Sequence, residues 1–165
     1  MNNIQKIETP YGDIMAKNVA YYDNGNVKSA EPEEPVFVSH EIGLFIAYDN
    51  TPLRDEAHEP TLELTENGRI QALRTVGTGL ICRNSDGDVK RFGAQWRDDP
   101  RQTGAVVLVP IRIEFCENAL CVTDSDGNKE EIDLKAWDIQ IDYLTDNIVM
   151  AGGCGDCSTC NGCKL

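Results

Sequence analysis

The residues with the clearest chemistry are four cysteines near the C-terminal end of the sequence. They are Cys154, Cys157, Cys160 and Cys163, each separated from the next by two residues. Thiolates are soft ligands that select zinc, copper(I) or iron–sulfur clusters. The residues between them are glycine or small and polar, which gives the backbone the freedom to wrap an ion. The spacing therefore predicts that the four cysteines bind a metal or an iron–sulfur centre.

The same cysteine run resembles the C-x-x-C-x-x-C segment of bacterial ferredoxins, whose cysteines hold iron–sulfur clusters. The resemblance implies that Cys154, Cys157 and Cys160 ligate a four-iron cluster, with Cys163 or a cysteine of the body as the fourth ligand. In that family the fourth cysteine follows after three residues and precedes proline. Here Cys163 follows after two residues and precedes Lys164.

A four-cysteine zinc site is the competing prediction for these residues. Structural zinc sites commonly bring two C-x-x-C pairs from separate knuckles, and this sequence has one compact run. The spacing disfavours a zinc ribbon within one chain and leaves open zinc shared by two chains, which would make a metal-linked dimer. A third interpretation leaves the thiols without metal, as redox-active or incidental groups.

The residues before the cysteines form the body that carries this tail. The sequence predicts an all-β domain over residues 1–147, followed by a Gly/Cys-rich tail over residues 148–165. Short runs of β-forming residues alternate with turn signals. The strongest signals are Asn24-Gly25 and Asn67-Gly68, because a tight hairpin turn requires positive φ. We expect about ten to fourteen short strands in three imperfect double-hairpin repeats, closed as a trefoil or prism or stacked as a β-solenoid.

Three further segments carry specific expectations. Tyr21–Ser29 resembles the short aromatic-x-Asn-Gly hairpins of MORN-type repeat proteins, a resemblance in hairpin style over about ten residues. The apolar run Val107–Phe115 predicts one strand. The alternation in Trp137–Leu144 predicts a last strand whose Trp137 and Tyr143 face the core. No amphipathic helix longer than about three turns is expected.

Other reactive residues are interpreted mainly as structural. Cys116 and Cys121 flank a short loop and can form a disulfide or a ligand pair, but small apolar strand residues are the favoured interpretation, as for Cys82. The run from Asp124 to Asn128 lacks the glycine and glutamate of a calcium loop and predicts an acidic turn. His40 and His58 form no H-E-x-x-H arrangement.

Charge and the N-terminal sequence restrict the partners that we expect. With 28 acidic and 15 basic side chains, the chain has a formal net charge of −13. Such a charge repels nucleic acid and anionic membranes, so neither is expected as a partner. The first residues show no apolar signal segment, which predicts a cytoplasmic protein.

These observations predict an accessory or binding protein whose cysteine tail holds zinc or an iron–sulfur cluster. The alternative is a module that recognises protein or carbohydrate through two insertions, Asp49–Pro60 and Ala94–Gly104, with redox-active or incidental tail thiols. Within the second insertion, Trp96 lies beside two arginines. No nucleophile–base set is apparent, so catalysis is not predicted.

Overall fold

The computed structural model describes residues 3–49 and 59–151, the last three without their side chains. This part of the chain forms fifteen strands and one short helix. The strands are β1 (Gln5–Thr9), β2 (Gly12–Tyr21), β3 (Val27–Pro32), β4 (Val36–His40), β5 (Gly43–Ala47), β6 (Leu62–Leu64), β7 (Ile70–Thr75), β8 (Thr78–Asn84), β9 (Val89–Phe92), β10 (Gln95–Asp98), β11 (Val106–Val109), β12 (Ile111–Phe115), β13 (Ala119–Thr123), β14 (Lys129–Asp133) and β15 (Trp137–Tyr143). The helix is α1 (Thr145–Ala151).

The largest element is an antiparallel sheet of eight strands in the order β1-β2-β3-β6-β7-β12-β13-β14. Most neighbours in it are also consecutive hairpins along the chain. The exceptions are the β3–β6 and β7–β12 pairs, which skip intervening strands. Three smaller sheets complete the fold: β4-β5, β10-β11 and β15-β8-β9. The all-β prediction is therefore confirmed.

The core lies on one face of the large sheet, which we call the inner face. It carries fully buried aliphatic side chains such as Leu73, Ile113 and Val122, and the β4–β5 hairpin adds Val38 and Phe45 to the same cluster. The alternation of buried and partly exposed residues along β12 and β13 follows from the two-residue period of a strand. The opposite, outer face of these strands is therefore available to polar side chains.

Two of the strand predictions need correction. Val107–Phe115 is not one strand, because Pro110 separates β11 from β12, and the two halves pair with different partners. Proline lacks the N–H that a strand ladder requires, which explains the break. In β15, Trp137, Ile139 and Ile141 pack against the core as predicted but are only partly buried, whereas Tyr143 is 47% exposed.

The described strands form open antiparallel sheets of unequal size and no closed barrel. The threefold repeat and its trefoil, prism or solenoid arrangement stay predictions. The single helix, α1, has seven residues and begins within the predicted domain, before the expected tail boundary. No helix in residues 3–49 and 59–151 is long and apolar enough to cross a membrane.

Candidate functional site

The predicted metal ligands Cys154, Cys157, Cys160 and Cys163 lie outside the described residues, as does His58. The described chain ends in α1, which is fixed to the body close to its start. Asn147 donates a side-chain hydrogen bond to the Val76 carbonyl at 2.9 Å, and Leu144 N donates to the Gly77 carbonyl at 2.9 Å. A side chain at Gly77 would place its Cβ 2.5 Å from the Ile148 Cδ1 atom, so helix and body pack closely here.

The outer face of the large sheet brings together charged and thiol side chains that are far apart in sequence. Pairing across six strands aligns one row of residues that contains three carboxylates and a thiol. That row, the acidic row, is Ser29, Glu63, Ala72, Glu114, Cys121 and Glu131. The adjacent row on the same face, the basic row, is Arg74, Arg112, Thr123 and Lys129.

Arg112 joins the two rows through a cluster of carboxylates. Its Nη2 donates a hydrogen bond to Glu63, while Nε and Nη1 lie 2.8 Å from Glu59 and 2.9 Å from Glu114. The last two contacts bring opposite charges together without the angles of a hydrogen bond. Because the Arg112 side chain is only 11% exposed, its charge requires these carboxylates as compensation.

Further polar groups are buried towards the other end of the outer face. The Thr61 hydroxyl donates to the Glu31 carboxylate at 2.6 Å, and both residues are buried. Arg74 Nε lies 3.2 Å from the fully buried Asp49 carboxylate. These pairs meet the requirement that buried charges be compensated. The contact between Arg74 Nε and Asp49 Oδ2 is a charge contact without hydrogen-bond geometry.

The outer face also carries a pair of thiols. Cys116 follows β12 and Cys121 lies in β13, with their sulfur atoms 3.9 Å apart across the hairpin. Cys116 is exposed and Cys121 half-buried, so the interpretation of both as buried, small apolar strand residues is wrong for Cys116 and holds only in part for Cys121, which lies in β13. The same interpretation is confirmed for Cys82, which is fully buried. Burial, the hydrogen bond with Cys116 and the nearby negative groups, including Glu131 and Glu114, raise the pKa of Cys121.

His40 lies at the rim of the core. Its ring packs 4.7 Å from the Phe115 ring centroid and edge-on to Phe45 at 6.2 Å. Nδ1 accepts a hydrogen bond from the Ile42 amide at 3.3 Å. Burial lowers the pKa of His40, partly offset by Glu41, so the imidazole is favoured in its neutral form.

The Ala94–Gly104 insertion forms β10 and the turn to β11, with a solvent-facing apolar patch. Trp96 and Val106 are diagonal neighbours on one face of this hairpin and are 47% and 58% exposed. Arg97 forms two hydrogen bonds to the Asp126 carboxylate, at 2.8 and 3.1 Å, and it lowers the pKa of that carboxyl. The hairpin is thus attached to the β13–β14 turn.

That β13–β14 turn is an acidic hairpin turn, as predicted. Asp124 accepts backbone hydrogen bonds from Asp126 and Asn128, each at 2.9 Å, and Gly127 has φ of 85°.

Elsewhere, an open groove of about 560 Å³ lies between hairpin ends and is lined in part by Lys6, Tyr21 and Asn67. It offers an aromatic ring beside amide groups.

Sequence reasoning missed the two rows of the outer face, because they arise from strand pairing over long distances. The sequence signal for such a face is the charged residues at every second position. They are Arg112 and Glu114 in one segment, and Lys129, Glu131 and Asp133 in the other. No cluster of three or more histidine, cysteine or acidic groups within residues 3–49 and 59–151 is positioned to hold a metal ion. Comparisons with protein-family models, curated proteins and solved structures find no match for this chain.

Proposed function

We propose that this protein is a metal-binding or iron–sulfur protein with an accessory or binding role, in which an all-β body carries the cysteine tail. The observation that carries the proposal is the spacing of Cys154, Cys157, Cys160 and Cys163. Four thiolates are a full ligand set for a zinc ion or a four-iron cluster. In this proposal all four ligands come from the tail, so the body is expected to fold without it.

Two structural facts support this arrangement. The described body contains an extensive aliphatic core without the tail. The last described element, α1, is hydrogen-bonded to the body near its start, and Cys154 follows Ala151 by three positions. The ligands are thus close in sequence to a residue that is hydrogen-bonded to the body.

We also retain the threefold hairpin repeat as a proposal, supported by glycines with positive φ in the Asn24-Gly25 and Asn67-Gly68 turns.

The test is anaerobic purification of the full chain, followed by elemental analysis and an absorption spectrum of the same sample. Stoichiometric iron with a broad visible charge-transfer band indicates a cluster, and zinc without colour indicates a zinc site. A variant with all four tail cysteines changed to serine should lose this metal and keep the circular dichroism of the body. Cys116→Ser/Cys121→Ser is the matched control and should keep the tail metal.

Two results would contradict the proposal. One is a tail-serine variant that keeps all its metal. The other is metal-free wild-type protein with four reactive tail thiols even after reconstitution with iron and sulfide or with zinc. Size measurement with and without chelator tests the metal-linked dimer, which should dissociate when the metal is removed.

A second candidate function is a protein-interaction module, favoured by the exposed Trp96–Val106 patch. Aromatic residues are enriched at interface hot spots, and this hairpin exposes the aromatic side chain of Trp96 on an acidic protein. Trp96→Ala should then abolish partner capture, whereas serine at the tail cysteines should leave it unchanged. A carbohydrate ligand would instead use the groove beside Tyr21, and Tyr21→Ala would weaken its binding. Capture that depends on the tail cysteines would exclude this second function.

A further inference from the structure

The outer face carries a second set of thiols that the tail site does not use. Cys116 and Cys121 lie on the same face of the β12–β13 hairpin, where Glu114 is directly opposite Cys121. The amide of Cys116 donates to the Ala119 carbonyl at 3.0 Å, which places the two cysteines at diagonal positions of the ladder. The hairpin register therefore holds the two sulfur atoms together, at 3.9 Å.

This separation fits two ligands of one ion better than it fits a disulfide. A disulfide bond is about 2.05 Å long and requires Cβ atoms about 3.8 Å apart. Diagonal positions of an antiparallel pair are roughly 7–8 Å apart, with their Cβ atoms somewhat closer, whereas directly opposite Cβ atoms are about 4.5–5.5 Å apart. Two bonds of about 2.3 Å at a tetrahedral zinc ion place their sulfur atoms about 3.8 Å apart. The observed 3.9 Å is close to that value without movement of the backbone.

The charges around the two thiols also favour a bound cation. Glu131 is opposite Cys121 on the β14 side, and Glu114 is opposite it on the β12 side. Glu114 is close to Arg112, whereas Glu131 is exposed and forms no ion pair with any described residue. Negative surroundings oppose formation of a free thiolate, but they favour a divalent cation that itself stabilises thiolates.

We propose that Cys116 and Cys121 bind one thiophilic divalent cation, such as zinc or cadmium, with the Glu131 carboxylate as an adjoining oxygen ligand. The two thiolates are the principal ligands, and water fills the remaining position. Only the two sulfur atoms are in place as ligands in the structure, and Glu131 reaches the ion after rotation of its exposed side chain. Binding replaces the two thiol protons, which pass to solvent, so no oxidant or reductant takes part. This site is independent of the tail cysteines.

The test uses the full chain with Cys154, Cys157, Cys160 and Cys163 changed to serine, titrated anaerobically with cadmium. We expect ultraviolet thiolate-to-cadmium absorption that saturates at one equivalent per chain. Adding Cys116→Ser and Cys121→Ser should abolish the absorption. Glu131→Gln should weaken cadmium binding by roughly tenfold, the scale of a supporting ligand. Buried Cys82 stays in every variant and serves as the internal control.

Two outcomes would overturn the proposal. One is absence of cadmium absorption in the tail-serine protein, particularly if a mild oxidant instead joins the pair in a disulfide. The other is absorption that persists after both body cysteines are changed. The circular dichroism of each variant verifies folding, and Cys116→Ala alone, at an exposed position, gives a second way to remove one ligand. Because the tail ligands are absent throughout, either result leaves the proposed tail site unaffected.

Discussion

The two faces of the β12–β14 strands differ completely, although they share one backbone. On the inner face, Ile113, Leu120, Val122 and Ile132 are at most 1% exposed. On the outer face, the same strands present Glu114, Cys121 and Glu131 in one row. The difference shows that strand alternation separates the aliphatic core from the charged and thiol side chains of these strands. Residues one position apart in the sequence therefore have unrelated roles.

Energetically, the inner face depends on close packing and the outer face on charge balance. Removing a methylene group from a packed core costs both transfer free energy and a cavity. Exposed ion pairs contribute little to stability, and only compensated charges with low exposure matter more. The contrast between the two faces is therefore clear at Cys121 and weaker at Arg112, whose side chain is nearly buried.

The largest expected effect contrasts two adjacent residues of β13. Leu120→Ala should lower the free energy of unfolding by about 2–5 kcal/mol, because its side chain is fully buried and leaves a cavity. Cys121→Ser on the outer face should change it by about 0.5 kcal/mol or less. Urea unfolding followed by circular dichroism measures both values. Similar losses for the two variants would contradict the separation of the faces.

A smaller effect is expected at Arg112, where the outer face approaches a buried environment. Arg112→Gln should destabilise the fold by roughly 1–3 kcal/mol, because it leaves the carboxylates of Glu63 and Glu114 without their cation. Exposed Arg69 provides the control, and Arg69→Gln should cost about 0.5 kcal/mol or less. Adding Glu114→Gln to the Arg112 variant should recover part of the loss. No recovery would show that Arg112 acts through packing of its stem.

The smallest effect concerns His40, which lies at the rim of the inner face. Its pKa in the folded protein lies below its ordinary value of 6.5, chiefly through burial. Its contribution to stability is therefore complete above pH 6.5 and is lost as pH falls through the folded-state pKa. His40→Asn keeps an acceptor for the Ile42 amide and should flatten the pH dependence of the urea midpoint between pH 7.5 and 5. An unchanged slope would assign that dependence to other groups.

Much of the fold is predictable because hairpin turns are local. Gly25, Gly68 and Gly127 all have positive φ, between 80° and 87°, and each lies in a turn that the sequence signals. The pairing of β7 with β12 is not local, because residues from four intervening strands separate them. Turn chemistry therefore predicts which strands exist and which form hairpins, but not how the hairpins associate.

The candidate site was harder to predict than the fold. The tail cysteines are recognisable because their chemistry depends only on local spacing. The Cys116–Cys121 pair depends on which face of β13 is buried, and cysteine is compatible with either face. The position of Glu131 opposite Cys121 requires the register of β14, which a sequence pattern does not fix.

The place of β15 in the fold has a consequence for synthesis of the chain. Strand β8 lies between β9 and β15, and β15 is the last strand along the described chain. A nascent chain can form the β8–β9 hairpin early, but one edge of β8 stays unpaired until β15 has left the ribosome. Free strand edges are templates for pairing with other chains, and emerging domains expose them transiently. During the interval between synthesis of β9 and β15, aggregation through this edge therefore competes with productive folding.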